Sequence, residues 1–299
     1  MVIATGFFDG VHAGHRLVLD RLVETAKARG DESLVVTFWP HPRNVLQCDA
    51  GSLRLLTSLD EKKELIRSLG VDRIEVVEFT REFSRLTAET YFREYVAGRF
   101  GGKAVVLGYD NRVGCDCRTV EDAARAAESA GLEVVLADRL DSDTGTAVSS
   151  TWIRAMIEAG EMQTAAGMLG YDYRLTGVVV SGENLGKTMG FPTANMELYE
   201  PLKLVPENGA YLVKVRTLGE ERWGMCNIGN RPTVREGNAR TIETNIFGFD
   251  EDIYGLDISL SFVRRIRKEI RFGSMDALKE QLAKDRELCI NLIDTVYEA

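Results

Sequence analysis

Two histidines stand three residues apart in the stretch GFFDGVHAGH, residues 6–15, which follows a short strand-like run, Val2–Thr5, and precedes an amphipathic one. A strand that turns into a helix here presents the free N–H groups and partial positive charge of the helix N-terminus, which suit a phosphate. Imidazoles beside that terminus add donors for the charge on a reacting phosphoryl group. We therefore predict that His12 and His15 bind phosphate. The glycines that let the backbone approach the ligand closely are Gly6, Gly10 and Gly14.

Two other interpretations of the histidine pair stay open. The imidazoles could be structural side chains whose hydrogen bonds are satisfied inside the protein. They could also bind a metal ion, although neither a cysteine nor a third histidine lies close to them in the sequence. Motifs elsewhere in the chain are needed to choose among phosphate binding, a structural role and metal binding for the two histidines.

A second group of polar residues, SSTWIR at residues 149–154, stands at the predicted start of another helix. Hydroxyl groups of Ser149, Ser150 and Thr151 can cap that helix. Arg154 lies one turn after Ser150 on the same side, which adds a guanidinium group to the cap and predicts a second anion-binding site. An ordinary helix cap would show the same hydroxyl residues, so this segment gains meaning only together with the histidine motif.

A glycine-rich segment in the second half of the chain combines a lysine with small hydroxyl and amide side chains. It runs from Gly182 to Asn195, and its spacing differs from that of a Walker P-loop. Glycines let the main chain surround a phosphate, and Thr193 with Asn195 can hold Mg²⁺ and its waters. A plain turn between strands is the alternative. The residues predicted to contact phosphate are Gly182, Gly186, Lys187 and Gly190.

The first half of the chain alternates strand-like and helical periodicity, which predicts a parallel, doubly wound α/β sheet. Ligands bind at the carboxyl edge of such a sheet, and the histidine motif follows the first strand at that edge. Ser58 and Glu61 form a predicted capping box at the start of one helix. The strands predicted after the first one lie at residues 34–38, 73–77, 104–107 and 132–137.

After a polar, turn-rich segment at residues 141–145, strand follows strand, which predicts an antiparallel β-barrel. The last strand alternates apolar and polar residues from Ile258 to Phe262. A helical stripe of apolar residues between Met275 and Val296 is predicted to lie against the barrel. The barrel strands are predicted at residues 175–180, 210–215, 223–228, 241–247 and 258–263.

Length, charge and cysteine content limit the class of protein. The chain has 299 residues, 44% of them hydrophobic, which is enough for two cores. Its net charge of −9 argues against a nucleic-acid or anionic-membrane partner held by a broad basic surface. Five cysteines without zinc-type spacing indicate free thiols in a reducing compartment. Because neither a signal peptide nor a membrane-spanning run is recognisable, we expect a cytoplasmic protein, as a monomer or weak homo-oligomer.

GxFDGxHxGH, then TFWPHP at residues 37–42, then SSTxIR together resemble the adenylyltransferase module of the prokaryotic bifunctional riboflavin kinase/FMN adenylyltransferase family, also called FAD synthetase. The resemblance implies a Rossmann-like HxGH nucleotidyltransferase that transfers AMP from ATP to FMN and releases pyrophosphate. It implies that His12, His15 and Arg154 stabilise the phosphates and the transition state without a covalent enzyme intermediate. The ATP-binding residues that it implies are Gly6, Phe8, Asp9, Gly10, Gly14, His41, Ser149, Ser150 and Thr151.

One segment departs from the family pattern. Residues 110–114 read DNRVG where the family usually has DFRFG, so two aromatic residues beside the implied flavin site are absent. Asp110 and Arg112 match the motif and are the implied flavin contacts in this half. The altered segment motivates a different class of function, namely a flavin-binding or regulatory protein that has lost the adenylyltransferase step.

The second half resembles the riboflavin kinase module of the same family. The glycine-rich segment matches GxxxGxxxGFPTAN, with Lys187 where arginine is more usual, and PENGAY, NIGNRPT and IETNIF follow in order. The resemblance implies that Thr193 and Asn195 bind Mg²⁺ with ATP, and that Glu243 is the general base for the ribityl 5′-hydroxyl of riboflavin. From the strand pattern alone, Glu243 could equally be a solvated side chain. The implied flavin contacts are Asn227 and Arg231.

Together the two resemblances imply a two-step synthesis of flavin cofactors. Riboflavin and ATP would give FMN in the second half, and FMN with ATP would give FAD in the first half, with Mg²⁺ at both sites. The expected domains are residues 1–158 for the adenylyltransferase, 159–172 for a linker and 173–299 for the kinase. The enzymatic alternative is an HxGH nucleotidyltransferase for another phosphorylated acceptor. The expected partners are ATP, riboflavin and FMN, with neither nucleic acid nor a membrane.

Overall fold

The computed structural model describes residues 1–46, 53–109, 111–138, 148–182, 186, 189–230 and 240–297, with the backbone alone for 295–297. The chain divides into two compact units, Met1–Trp152 and Ile153–Ala299. A parallel sheet with helices forms the first unit, and a closed barrel forms the second. The predicted α/β class and the predicted antiparallel barrel are therefore both confirmed.

The sheet of the first unit consists of β1 (Val2–Thr5), β2 (Ser33–Trp39), β3 (Arg73–Glu78), β4 (Ala104–Leu107) and β5 (Glu133–Leu136). Neighbouring strands are parallel, in the order β3-β2-β1-β4-β5. Ile3 enters the apolar cluster on one face of the sheet, whereas Val2 and Ala4 enter the cluster on the other face. Helices therefore cover both faces, as a doubly wound sheet requires. They are α1 (Ala13–Arg29), α2 (Pro42–Leu46), α3 (Leu59–Ser68), α4 (Ala88–Tyr91, continued by a π-helix over Phe92–Arg99) and α5 (Val120–Ser129).

Strand β1 lies in the middle of the sheet, between β2 and β4. The order of strands reverses there, so the carboxyl ends of β1 and β4 mark the position where such folds bind ligands. Asn111 joins these two ends. Its Nδ2 donates to the Thr5 carbonyl oxygen at 3.0 Å, and its Oδ1 accepts from the Gly108 N–H at 2.9 Å. The residue that replaces a family aromatic thus bonds the two strands together.

Local signals in the sequence set the ends of two helices. Ser58 Oγ accepts from the Glu61 N–H at 3.2 Å, and Glu61 Oε2 accepts from the Ser58 N–H at 2.9 Å. This arrangement is a capping box, as predicted. Gly30 ends α1 in the left-handed region, with φ at 65°. Both features fix the ends of helices through contacts that are local in the sequence.

The second unit is a barrel of β6 (Tyr173–Val180), β7 (Ala194–Leu198), β8 (Gly209–Thr217), β9 (Glu220–Asn230), β10 (Arg240–Ile246) and β11 (Asp257–Lys268). The strands close in the order β10-β7-β6-β11-β8-β9, and neighbours are antiparallel. Five of them were predicted, but β7 was not. Its first two residues, Ala194 and Asn195, were assigned to the glycine-rich segment, in which three glycines and Pro192 precede only five strand residues.

Helices lie on either side of the barrel strands in the sequence. They are α6 (Ser150–Ala159), α7 (Met162–Leu169) and α8 (Met275–Tyr297). The predicted linker, residues 159–172, includes α7. Cys289 of α8 packs with Leu212 and Met225 of the barrel, with Leu282 and Leu292 beside it, which confirms the middle of the predicted apolar stripe. Met275 at its start is exposed, and the side chain of Val296 lies outside the described residues. Asp285, also on α8, accepts a bifurcated hydrogen bond from the Arg267 Nε–H, at 3.0 Å to Oδ1 and 2.9 Å to Oδ2.

Candidate active sites

The turn after β1 holds an unusual backbone conformation. Phe8, Gly10 and Val11 have φ values of 49°, 84° and 38°. Glycine adopts such values at no steric cost, but an aromatic or β-branched residue does not. The prediction assigned the turn to its glycines, and the structure shows that Phe8 and Val11 share it. Surrounding contacts must therefore hold this turn in place.

Asp9 supplies the largest group of those contacts. Its carboxylate accepts from the Leu56 N–H at 3.1 Å, from the Thr57 N–H at 3.0 Å and from the Thr57 hydroxyl at 3.1 Å. The Gly10 N–H donates to the same hydroxyl oxygen at 3.0 Å. These bonds attach the turn to the segment before α3. The geometry gives Asp9 a positioning role, and its implied contact with ATP stays a prediction.

The serine-rich segment contacts the same turn. Ser150 Oγ donates to the Asp9 carbonyl oxygen at 3.0 Å, and Ser149 Oγ accepts from the Trp152 N–H at 3.3 Å. Ser149 thus caps α6, while Ser150 makes a long-range bond. Thr151 is exposed, and Arg154 is half-buried one turn farther along α6. Ser149 therefore acts as a helix cap, whereas Ser150 bonds to the turn that carries the histidine motif.

The two histidines stack on each other at the start of α1. Their ring centroids lie 3.6 Å apart with an interplanar angle of 19°. His12 is the N-cap, and its Nδ1 accepts from the His15 N–H at 3.4 Å. An Nδ1 that accepts leaves Nε2 to carry the proton, so Nε2 can donate to a ligand. The Phe8 ring contacts His15 edge-on at 5.3 Å.

His15 is electrostatically the more perturbed of the pair. Burial holds the pKa of His15 well below its ordinary value, with smaller contributions from His12 and from Lys62. Its Nδ1 is buried and has no hydrogen-bond partner in the described residues. His15 is therefore neutral at pH 7, with one ring nitrogen that a ligand or water can still satisfy.

Lys62 is a residue of this site that the sequence did not predict. It lies on α3 with only 4% of its surface exposed, and its Nζ donates to the Phe7 carbonyl oxygen at 3.0 Å. A lysine in the polar run DEKKE is typical of a solvated helix face, so periodicity alone hides it. The one indication was its distance of four residues from the capping residue Ser58, where α3 meets the sheet.

An aromatic group lies beside the turn. Phe7 contacts Phe38 at 5.1 Å, His41 at 5.3 Å and Phe79 at 5.7 Å between ring centroids. These rings gather at the carboxyl ends of β1, β2 and β3, which places His41 near the predicted phosphate site. Arg112 is exposed. Asp110, its predicted partner in binding flavin, lies outside the described residues.

The second site is a row of polar residues across three neighbouring barrel strands. Glu243 of β10 pairs directly with Asn195 of β7 on one side and with Asn227 of β9 on the other. Directly opposed residues of an antiparallel pair project from the same face of the sheet. The register therefore brings together the predicted base, one predicted Mg²⁺ ligand and one predicted flavin contact.

The glycine-rich segment packs closely against this row. A side chain at Gly182 would meet the Asn195 amide nitrogen at 2.1 Å, and one at Gly186 would meet the Phe191 carbonyl oxygen at 2.3 Å. Thr193 Oγ1 would lie 3.3 Å from that second position. A side chain at position 186 would therefore meet backbone and is excluded, whereas one at position 182 would displace the Asn195 amide group.

Asn245 ties the start of β7 to β10. The β10–β7 ladder ends at the pair Thr244 and Ala194, and Pro192 has no N–H to extend it. Asn245 is buried, and its Nδ2 donates to the Pro192 carbonyl oxygen at 2.7 Å. Thr241, Glu243 and Asn245 occupy alternate positions along β10, and Asn245 is the one of these three that is buried.

Other predicted residues have simpler placements. Gly190 is exposed, with φ at 82°. Lys187 and Arg231 lie outside the described residues. Within the described ranges, no cluster of three or more His, Cys, Asp or Glu side chains could hold a metal ion. Four cysteines in the same ranges, Cys115, Cys117, Cys226 and Cys289, are free thiols, and Cys48 lies outside them.

Comparisons with known proteins divide the chain at the same place as the structure. The profile of the FAD synthetase family matches residues 1–152, and that of the riboflavin kinase family matches residues 169–293. No helix in the described residues is both long and apolar enough to cross a membrane.

Similar full-length proteins share both halves. A bifunctional riboflavin kinase/FMN adenylyltransferase of Listeria monocytogenes is 37% identical, over 96% of this chain and 90% of its own length. One from Bacillus subtilis is 33% identical, over 97% of this chain and 91% of its own. A crystal structure of a protein from Streptococcus pneumoniae described as a macrolide-efflux protein is 30% identical, with a TM-score of 0.90 and coverage of 97% and 93%. The chain belongs to the bifunctional riboflavin kinase/FMN adenylyltransferase family.

Proposed function

We propose that this chain makes FMN and FAD from riboflavin in two steps at two separate sites. The barrel unit transfers the γ-phosphoryl group of ATP to riboflavin, giving FMN and ADP. The α/β unit transfers AMP from a second ATP to FMN, giving FAD and pyrophosphate. One observation carries this proposal: the FAD synthetase profile falls on the first compact unit and the riboflavin kinase profile on the second.

In the adenylyltransferase step, a phosphate oxygen of FMN attacks the α-phosphorus of ATP and pyrophosphate leaves. His12 donates from Nε2, and the N–H groups at the start of α1 add to the same positive region. His15, being neutral, supplies a hydrogen bond without a fixed charge of its own. Arg154 neutralises charge on the triphosphate. Catalysis by alignment and charge stabilisation needs no nucleophilic side chain.

In the kinase step, Glu243 accepts the proton of the ribityl 5′-hydroxyl as that oxygen attacks the γ-phosphorus. Asn227 stands next to Glu243 in the row and contacts the flavin. Thr193 and Asn195 offer a hydroxyl and an amide oxygen, which are ligands that Mg²⁺ accepts together with phosphate oxygens. When bound there, Mg²⁺ neutralises charge on the triphosphate.

The assignments that remain proposals include the domain limits 1–158, 159–172 and 173–299, and the contacts of Asp110, Lys187 and Arg231. We propose that the enzyme works in a reducing, cytoplasmic compartment, because its described cysteines are free thiols. We also propose a monomer or weak homo-oligomer, without a nucleic-acid or membrane partner, since the net charge of −9 opposes polyanions.

Incubation with riboflavin and Mg–ATP tests the proposal, with the products separated by chromatography. FMN should appear first and FAD should follow as FMN accumulates. If supplied FMN stayed unchanged while riboflavin was phosphorylated, the adenylyltransferase assignment would be wrong. If the protein bound flavin but consumed neither riboflavin nor ATP, the regulatory alternative would be correct.

A further inference from the structure

Lys62 lies buried behind the adenylyltransferase site, and none of the steps above uses it. Its Nζ donates to the Phe7 carbonyl oxygen at 3.0 Å, and the Thr37 hydroxyl donates to the same oxygen at 3.3 Å. The next residue, Lys63, has a side chain that is 28% exposed and lies 3.7 Å from the Asp60 carboxylate. Two adjacent lysines of α3 thus have opposite environments, one in the interior and one at the surface.

The Lys62 ammonium group lacks the usual compensation for burial. A charged group inside a protein is normally neutralised by an opposite charge within contact distance. In the described part of the chain, no carboxylate oxygen lies within salt-bridge distance of Nζ. The nearby acid is Asp9, and its carboxylate already accepts three hydrogen bonds from Leu56 and Thr57. Among the described residues, the Lys62 ammonium group therefore has Asp9 as a nearby charge but no carboxylate in contact with it.

Several charged groups face Lys62 from the surrounding elements. They are Asp9 from the turn after β1, Lys63 from its own helix and His15 from α1, while the Trp39 ring of β2 lies 5.9 Å from Nζ. Burial lowers the pKa of Lys62 to about 8, against the raising effect of Asp9. His15 and Lys62 are thus two basic groups whose charged forms the unliganded site disfavours.

We propose that Lys62 is a positioning residue of the adenylyltransferase step, which fixes the Phe7 carbonyl group from behind the turn and supplies a buried positive charge that the nucleotide phosphates neutralise. This inference rests on the proposed function of the first site. It explains why a lysine is buried beside the turn that leads into the proposed phosphate-binding histidines. In this proposal, the counter-ion of Lys62 is a phosphate group of the bound nucleotide and not a carboxylate of the protein.

The proposal has a consequence for the pH dependence of ATP binding. A bound phosphate favours the ammonium form and therefore raises the pKa of Lys62. Binding is then strongest below pH 8, where Lys62 is already charged, and it weakens as pH rises above that value and the free enzyme loses the proton. An arginine at this position stays charged throughout, so it should remove this weakening.

Three variants of the full chain test the proposal, with KM for ATP in FMN adenylylation measured from pH 6.5 to 9.5. Lys62→Met should raise KM about tenfold or more at pH 7 and abolish the alkaline rise. Lys62→Arg should keep KM within about threefold at pH 7 and also lack the rise. Lys63→Met, the matched control, should behave like the wild type. Riboflavin phosphorylation by the same samples should be unchanged in all three.

Two results would overturn the proposal: a KM for ATP in Lys62→Met within twofold of wild type at pH 7, or the wild-type alkaline rise persisting in Lys62→Arg. The three histidines of the chain all lie in the first unit, so their imidazole NMR signals report whether that unit of each variant is folded. If Lys62→Met does not fold, Lys62→Arg decides alone. If the wild type binds ATP but leaves FMN unchanged, the proposed function fails, and the same pH series is then measured as Kd for ATP by calorimetry.

Discussion

The two candidate sites differ in the backbone structure that positions their residues: a turn in the first and paired strands in the second. The adenylyltransferase site gathers its histidines in one short stretch after β1, which bonds from Thr57 and Ser150 hold in place. The proposed kinase site takes Asn195, Glu243 and Asn227 from three strands, and strand pairing brings them into one row. A turn with positive φ values keeps its shape only through its surroundings, whereas a ladder is fixed by its own hydrogen bonds. We therefore expect the first site to depend on distant supports and the second on strand register.

The sharpest test of two independent sites is Glu243→Gln. Glutamine keeps the size of the side chain and its place in the row but cannot accept the proton of the 5′-hydroxyl. We expect kcat for FMN formation to fall by about 10²–10⁴-fold, while supplied FMN is still converted to FAD at the normal rate. Glu197→Gln, at an exposed position of β7, is the matched control and should leave both rates unchanged. A parallel loss of both activities would show that the sites are not separate.

The converse change is Arg154→Ala. Its guanidinium group is proposed to neutralise the triphosphate in the first site, so FAD formation from supplied FMN should fall by about 10²–10³-fold. FMN formation from riboflavin should stay within twofold of wild type. Arg125→Ala removes an arginine whose side chain is 71% exposed, and it serves as the control. Should Arg154→Ala reduce FMN formation instead, the assignment of Arg154 to the adenylyltransferase site would be wrong.

Features that depend on neighbours in the sequence could be predicted, and several were. The strand before the histidine motif, the capping box at Ser58 and the position of His12 at the start of a helix all follow from local patterns. Polar groups at the carboxyl end of a parallel strand also followed from the doubly wound sheet. The cap at Ser58 and the helix start at His12 hold because their hydrogen bonds join residues only three positions apart. Strand β1 bonds to the distant strands β2 and β4, and its short apolar run was the signal that indicated it.

Features that depend on distant contacts could not be predicted in the same way. Lys62 belongs to a polar helical run in the sequence. Only the structure, in which its Nζ bonds to the Phe7 carbonyl oxygen, shows that it is buried. The sequence motif indicates that Asp9 is a ligand-binding carboxylate. In the structure, its carboxylate accepts hydrogen bonds from the backbone N–H and the hydroxyl group of Thr57. The pairing of Glu243 with Asn195 requires β7, a strand of five residues that the sequence pattern did not predict. Burial and register are properties of the assembled fold and leave little trace in spacing.

The role of register in the kinase site is tested by Asn245→Leu. Leucine keeps the shape of the side chain but removes the donor to the Pro192 carbonyl oxygen, so the segment before β7 loses its side-chain bond to β10 while the ladder pairs remain. We expect kcat/KM for riboflavin phosphorylation to fall about tenfold, mainly through KM for Mg–ATP, because Thr193 and Asn195 lie just beyond Pro192. The exposed Asn230 of β9 provides the control as Asn230→Leu, and conversion of supplied FMN to FAD should be normal in both variants. An unchanged KM for Mg–ATP in Asn245→Leu would mean that the two ladder pairs Glu243–Asn195 and Thr244–Ala194 suffice to place the ligands, and that the amide contributes packing alone.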